Sequence, residues 1–205
     1  MTRDEVLQDL AYARALAEEG RHAPLIGGSY FVLFGVLLAI SYSAQWSVLS
    51  GAWPVGQQVI GFTWMGFGAA AAIGVTLLSR RVRKLPGGAA ISNQVDRAVW
   101  NGAALAIIAC VVGAVLRAMV THDFTAPDAI MAAGFGLYGV AIYASARAGG
   151  HPWLQSFAWI AWAVSAALWF FMHESWTYLI AAAACIIVLI VPGIVMLRRE
   201  PAAMA

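Results

Sequence analysis

Residues 177–197 read TYLIAAAACIIVLIVPGIVML, a run of 21 residues without a charged side chain. A helix rises about 1.5 Å per residue, so a helix of this length spans roughly the 30 Å of hydrocarbon in a bilayer. An apolar run this long indicates a transmembrane helix rather than a helix in a soluble core. Similar apolar runs precede it in the chain, and together they indicate an integral membrane protein.

The composition agrees with this assignment. Of the 205 residues, 62% are hydrophobic and 11% are charged, whereas about 25% are charged in a typical soluble domain. The connections are too short to fold separately, and the apolar runs are longer than the ~10 alternating residues of a barrel strand. We predict an all-α integral membrane protein with six transmembrane helices in a compact bundle. The predicted spans are Leu25–Gln45, Val55–Ser79, Ala98–Val120, Asp128–Ala146, Trp153–His173 and Thr177–Leu197.

Basic residues indicate the orientation of the bundle. If the N-terminus is cytoplasmic, eleven of the twelve Lys and Arg residues lie on the cytoplasmic side and only Arg117 lies towards the outside. Basic connections are retained in the cytoplasm, so both termini are predicted to be cytoplasmic, in a bacterial-type inner membrane. The chain then divides into a cytoplasmic helix at 1–24, a six-helix domain at 25–197 and a short cytoplasmic tail at 198–205.

Residues 1–24, which we call the prefix, are predicted to form an amphipathic helix. Thr2 and Glu5 have the spacing of a capping box. Three arginines oppose five acidic residues in this segment, and helices that bind anionic membrane surfaces are usually basic. We therefore expect residues 2–20 to dock on protein, either the chain's own bundle, a second copy or a different partner. The apolar docking stripe comprises Val6, Leu10, Ala13 and Ala17.

Small residues recur every four positions in two spans. Such stripes let helix backbones approach closely in lipid. They predict tight packing within the bundle, with a homo-oligomer interface as the alternative. The stripes are Gly66, Ala70 and Gly74 in the second span, and Gly102, Ala106, Cys110 and Ala114 in the third.

Side chains that support chemistry are scarce. The predicted span interiors contain no Asp, Glu, Lys or His, so we expect no catalytic residue, no cofactor and no proton-coupled transport. His122 with Asp123, and His173 with Glu174, could form a metal or proton site at the outer end, but solvated loops explain them more simply. No metal site is therefore predicted. The net charge of +2 argues against nucleic acid as a partner.

One face of the fifth span is rich in tryptophan. Trp162 lies near the middle of the membrane, where an indole N–H without an acceptor is costly. Either neighbouring carbonyls and hydroxyls accept these N–H groups, or the face lines a cavity for a lipid tail, a cofactor ring or a cation. The candidate ligand residues are Gln155, Trp159, Trp162, Trp169 and His173.

Pro192 interrupts the sixth span. Its ring removes one helical hydrogen bond and frees the carbonyl of Val188. We predict a kink there, which could shape a pore or a hinge.

The entry to the first span, HAPLIGG at residues 22–28, resembles a known family. It is similar, through Ala23, Pro24 and Leu25, to the Asn-Pro-Ala-Pro-Leu-Gly entry of the six-helix acetate and succinate channels. The preceding Asn-Pro is absent here, whereas the chain length and the number of spans agree. The resemblance implies a passive channel.

Three functions follow from these features. The favoured one is a non-catalytic membrane module that binds or regulates a partner through its acidic N-terminal helix. The first alternative is a passive channel or facilitator for a small neutral solute or weak acid. The second is a membrane enzyme or cofactor carrier that uses His122, His173 and the tryptophan face.

Overall fold

The computed structural model describes residues 25–85, 87–88, 90–122, 125 and 127–200, together with positions 6–8 and 12. These residues form helices and turns, without strands. Six helices are long and apolar enough to cross a membrane, which confirms an all-helical, multi-pass class. They are α1 Gly28–Leu49, α2 Gln58–Val82, α3 Ile91–Thr121, α4 Asp128–Ala148, α5 Pro152–Phe170 and α6 Thr177–Arg199.

Local backbone chemistry sets several helix ends. α3 ends where His122 adopts a left-handed conformation, with φ of 56°, a common way of terminating a helix. Gly150, with φ of 68°, turns the chain after α4. α5 then begins at Pro152, whose fixed φ suits the first helical turn.

α3 starts earlier than the sequence predicts. The third span was expected to begin at Ala98, whereas α3 begins at Ile91. The additional turns carry Asn93 and Asp96, which are 1% and 5% exposed. In a sequence, two polar residues beside a basic connection are typical of a solvated loop, so their burial in a helix was not predicted.

Burial divides the six helices into inner and outer ones. In α4 and α6, half of the most apolar stretch is buried, and in α1 a third of it is buried. In α2 and α3 the buried share of that stretch is only 6% and 11%. Two helix pairs make the main contacts: α4 packs on α5, and α1 packs on α6. The two outer helices each lie against one partner, α2 against α1 and α3 against α4. α2 and α3 therefore leave broad faces for lipid. The largest apolar side chains that fill the core are Phe135, Ile142, Leu154, Leu168, Val188 and Leu189.

Two of the three glycines in the predicted packing stripes lack the close contacts expected of them. A Cβ added at Gly66 or at Gly102 would meet no atom within 4 Å. Gly74 is different, because a Cβ there would overlap the side chain of Leu33 on α1. The spacing of small residues identified possible contact faces, but it carried no information about which faces have a neighbour.

The backbones of α1 and α6 approach each other closely at two glycines of α1. A Cβ added at Gly28 would lie 2.8 Å from the carbonyl oxygen of Gly193 and 2.8 Å from the backbone nitrogen of Leu197. A Cβ at Gly35 would lie 2.6 Å from Cγ1 of Ile190. Glycine at these positions lets the two backbones touch, which maximises dispersion contact in lipid.

α6 contains a π-helical turn at Ile186–Ile190, which ends two residues before Pro192. Proline has no backbone N–H, and its ring would clash with a carbonyl of the preceding turn. The wider π-helical turn gives the proline ring room and does not need the missing N–H. The structure thus has an irregular turn where the sequence predicts a kink, while a role of Pro192 in a pore or hinge stays a prediction.

Only four positions of the prefix are described, and they are helical. Val6, the first residue of the predicted docking stripe, is 39% exposed. Leu10, Ala13 and Ala17 lie outside the described residues, so the stripe stays a prediction.

Candidate functional site

Three buried polar side chains meet at one end of the bundle, where the prefix leads into α1 and α3 begins. We call this the entry end, and the opposite end the far end. Asn93, Asp96 and Ser145 are each 5% exposed or less. Together with the backbone of Ile26 they form what we call the junction cluster.

Asn93 joins three segments of the chain. Its Oδ1 accepts the backbone N–H of Ile26 at 3.2 Å, and its Nδ2 donates to the carbonyl of Gly87 at 3.1 Å. Ile26 is itself buried in a small apolar cluster with Val82 and Leu85. The two residues that precede α1 are thereby held against the start of α3 and against the connection that follows α2.

Asp96 links α3 to α4. The hydroxyl of Ser145 donates to its Oδ1 at 2.5 Å, and its Oδ2 would lie 3.3 Å from a Cβ added at Gly27. The buried indole N–H of Trp100, one turn further along α3, has no hydrogen-bond partner among the described residues. A buried carboxylate is costly unless it accepts hydrogen bonds, and the Ser145 hydroxyl supplies one to Asp96.

Arg97 supplies positive charge beside the junction cluster. It lies within electrostatic range of the Asp96 carboxylate, while its Nη2 donates to the carbonyl of Gly88 at 2.9 Å. The cluster can therefore fix chain segments by hydrogen bonds. Among the described residues, no group of three or more His, Cys, Asp or Glu side chains is placed to hold a metal ion.

The sequence analysis missed this cluster because it assigned Asn93 and Asp96 to a connection. A signal was present: Ser92, Asp96, Trp100 and Ala103 recur every three or four positions, which puts them on one helix face. Three of the four are buried and Trp100 is half-buried. The prediction that the spans hold no carboxylate is therefore corrected by Asp96, which lies inside α3.

A second cluster, the far-end cluster, consists of Asp128, His173 and Tyr178. Asp128, the first residue of α4, accepts a hydrogen bond from the Tyr178 hydroxyl and lies 3.0 Å from Nδ1 of His173. His173 has a left-handed backbone, with φ of 78°. The sequence suggested Glu174 as the neighbour of His173, whereas the structure pairs His173 with Asp128. Asp123 lies outside the described residues.

Trp162, the central residue of the tryptophan face, packs against α4. Its indole N–H donates to the carbonyl of Gly136 at 3.2 Å, and its ring lies so close to Gly139 that any Cβ there would overlap it. Tyr143 lies beside it, with ring centroids 5.7 Å apart. A neighbouring carbonyl thus accepts this N–H, which is one of the two arrangements that the sequence predicts.

The other residues of this face turn towards the perimeter of the bundle. Trp159 contacts Trp162 edge to face at 5.0 Å, but it is 63% exposed. Trp169 is 49% exposed, and Gln155 is half-buried nearer the entry end. The structure therefore brings Trp159 and Trp162 together, while His173 belongs to the far-end cluster. A ligand cavity along this face stays a prediction.

The end of α6 returns to the entry end. The guanidinium of Arg199 lies 5.0 Å from the ring centroid of Trp153, within cation–π range. Burial raises the pKa of Glu200 above its usual value, while the charge of Arg81 and the backbone N–H of Gly28 act in the opposite direction. α1 has no capping side chain of its own, so Glu200 supplies an acceptor for the backbone N–H of Gly28, but burial outweighs this gain for the ionised carboxylate.

Comparison with known proteins found no family model, no curated protein and no solved structure that matches the chain.

Proposed function

We propose that this protein is a non-catalytic accessory or regulatory subunit of a bacterial-type inner membrane. It binds a protein partner through residues 2–20 of the prefix, and it transmits that binding to its transmembrane helices. Both termini lie in the cytoplasm in this proposal.

The junction cluster is the observation that carries the proposal. A protein that binds the prefix displaces residue 24, where the prefix ends, and through it Ile26. The N–H of Ile26 is bonded to Asn93. From Asn93 the next polar contact on α3 is Asp96, which bonds Ser145 on α4. Because a buried hydrogen bond that loses its partner costs about 1–3 kcal/mol, displacing the prefix changes the energy of α3 and α4.

The distribution of charge supports the orientation. α2 ends with Arg80 and Arg81 and α6 ends with Arg198 and Arg199, and both helix ends lie at the entry end. Arg117 lies in the last turns of α3, towards the far end. Segments rich in Lys and Arg stay in the cytoplasm, which favours a cytoplasmic entry end and hence a cytoplasmic prefix.

The test uses the full chain in its native membrane, with a photo-crosslinking side chain in the prefix. Leu10 lies on the predicted stripe, and Gln8 lies about 200° away around a helix, so it is the matched control. We expect position 10 to crosslink one protein of defined mass and position 8 to give no such product. Leu10→Glu should abolish copurification of that protein, whereas Gln8→Glu should retain it.

Two results would contradict the proposal. If the crosslinks from position 10 are only within the chain, the prefix braces its own bundle. If a peptide of residues 1–22 binds anionic vesicles tightly, the prefix is a lipid anchor despite its excess of acidic residues.

Transmission is tested separately by hydrogen exchange. Partner binding should slow exchange in residues 91–97 as well as in the prefix. In Asn93→Ala, where the bond to Ile26 is lost, only the prefix should respond.

A further inference from the structure

Basic residues crowd the entry end of the bundle. Eight of the twelve Lys and Arg residues lie there, and all eight are exposed. The described acidic residues at this end are Asp96, which is buried, and Glu200. Three of the eight, Arg147, Arg198 and Arg199, end α4 and α6. The other five form what we call the basic corner, at the end of α2, the connection that follows it and the start of α3. They are Arg80, Arg81, Arg83, Lys84 and Arg97.

The basic corner lacks a counter-charge within the described chain. None of its five residues forms an ion pair with an acidic residue of that part of the chain. Three of the six helices begin at the entry end and three end there, so the partial charges of their dipoles offset one another. Arg97 donates one N–H to the carbonyl of Gly88, at 2.9 Å. A guanidinium has five N–H donors and can bind a phosphate with two of them at once, so the corner can bind an anion.

The basic corner lies where the apolar part of the bundle ends. Tyr30 on α1 packs on the small apolar cluster at this end, whose members Val82 and Leu85 bracket Arg83 and Lys84 in the chain. Tyrosine rings of membrane proteins are enriched at the level of the lipid headgroups. The cations beside Tyr30 therefore lie at the depth of phospholipid phosphates.

Large apolar side chains beside the corner are exposed as well. Leu77, one turn before Arg81 on α2, is 59% exposed, and Ile91, the first residue of α3, is 72% exposed. α2 and α3 pack mainly on different neighbours, α1 and α4, so neither helix covers the apolar face of the other. A ligand that matches both features has an anionic group and long apolar chains.

We propose that the basic corner binds an anionic phospholipid, with its phosphate on the guanidinium groups and its acyl chains along α2 and α3. Clusters of roughly four to eight Lys and Arg residues next to transmembrane helices attract anionic lipids, and the corner has five. A soluble polyanion would neutralise the cations but would leave the apolar side chains beside them uncovered.

The proposal goes beyond the accessory role and does not depend on it. The prefix enters the bundle beside the basic corner, because Ile26 packs with Val82 and Leu85. An anionic headgroup at the corner supplies the counter-charge that the acidic prefix would otherwise supply. Lipid at the corner therefore leaves residues 2–20 available to a protein.

The test uses the full chain in a neutral detergent that contains equal amounts of phosphatidylglycerol and phosphatidylcholine. Native mass spectrometry counts the molecules of each lipid that stay bound. We expect the wild type to retain phosphatidylglycerol at least about tenfold more than phosphatidylcholine, because each basic residue strengthens attraction to an anionic lipid surface about fivefold. Arg83→Gln should lower that ratio about fivefold, whereas Arg83→Lys keeps the charge and should lower it much less.

Arg147→Gln is the matched control. It also removes one exposed arginine at the entry end, but from the last turn of α4, outside the corner. It should keep the wild-type ratio of bound lipids. Both side chains are exposed, so neither substitution disturbs the core.

Four outcomes would overturn the proposal. One is a wild type without preference for phosphatidylglycerol, and another is an equal loss of preference in Arg83→Gln and Arg147→Gln, because charge would then act diffusely. A third is displacement of phosphatidylglycerol by inorganic phosphate but not by chloride at the same ionic strength, which would identify a soluble anion as the ligand. The fourth is a photo-crosslinking side chain at position 84 that links to residues 1–24 rather than to lipid, because the prefix would then occupy the corner.

Discussion

Gly28→Ala should loosen the contact between α1 and α6 and, with it, the junction cluster. The new Cβ would lie 2.8 Å from two backbone atoms of α6, whereas ordinary contacts begin at 3.4 Å. The helices must then separate by 0.6 Å, the difference between these distances, because backbone atoms cannot rotate away. Gly28 lies two residues after Ile26, whose N–H is bonded to Asn93, so the displacement reaches that bond.

The expected loss of stability follows from two opposing effects. Overpacking of this kind costs about 1–3 kcal/mol, and alanine recovers up to about 1 kcal/mol through its higher helix propensity. A net loss of about 1.5 kcal/mol lowers the Tm of a chain of this size by roughly 4 °C. Gly66→Ala is the matched control, because it adds a methyl group to α2 in open space and should leave the Tm unchanged or slightly higher.

Tryptophan fluorescence in detergent measures both Tm values, and hydrogen exchange at the Ile26 amide reports on the junction. Faster exchange at Ile26 should accompany the lower Tm of Gly28→Ala. Equal Tm values for Gly28→Ala and Gly66→Ala would refute the reasoning, since they would show that α6 does not confine α1 at this position.

Four further substitutions have distinct expected outcomes in the same unfolding assay. Tyr178→Phe should destabilise the protein by about 1–2 kcal/mol, because Asp128 loses a buried donor; an unchanged Tm would count against that bond. Trp162→Phe should lower the Tm more than Trp159→Phe, since Trp162 donates to the half-buried carbonyl of Gly136 and Trp159 is largely exposed. The pKa of Glu200 is raised above 4.5, so folding disfavours its ionised form, and stability is lost as the pH rises through the folded pKa. Glu200→Gln should therefore raise the Tm near neutral pH, and the gain should vanish below 4.5.

The transmembrane helices were predictable because lipid imposes a simple requirement. A segment in hydrocarbon must satisfy its own backbone hydrogen bonds and must be apolar over about 20 residues. The predicted start of the last span, Thr177, is the start of α6, and Asp128 begins both the predicted span and α4. The arrangement of the helices was not predictable in the same way. A helix that is apolar on all sides carries no polar face to mark its outer surface, which is why the stripes containing Gly66 and Gly102 did not identify the contact made by Gly28.

The candidate sites depended on contacts distant in the chain. The sequence required an acceptor or a cavity for Trp162, and the carbonyl of Gly136 is such an acceptor. It could not identify the partner of Asp96, because Ser145 is 49 residues away and hydroxyls at many positions are equivalent in a sequence. If the predicted third span had begun at Ile91, helical spacing would have placed Asp96 on the buried face of that helix.

The two halves of the junction cluster can be separated by substitution. Asn93→Ala breaks the attachment of Ile26 but leaves the Asp96 carboxylate and its Ser145 donor in place. It should therefore abolish transmission from the prefix while α3 and α4 stay joined. If Asn93→Ala instead lowers the Tm as much as Asp96→Asn, the two contacts act as one unit, and loss of transmission in Asn93→Ala would reflect a disturbed bundle.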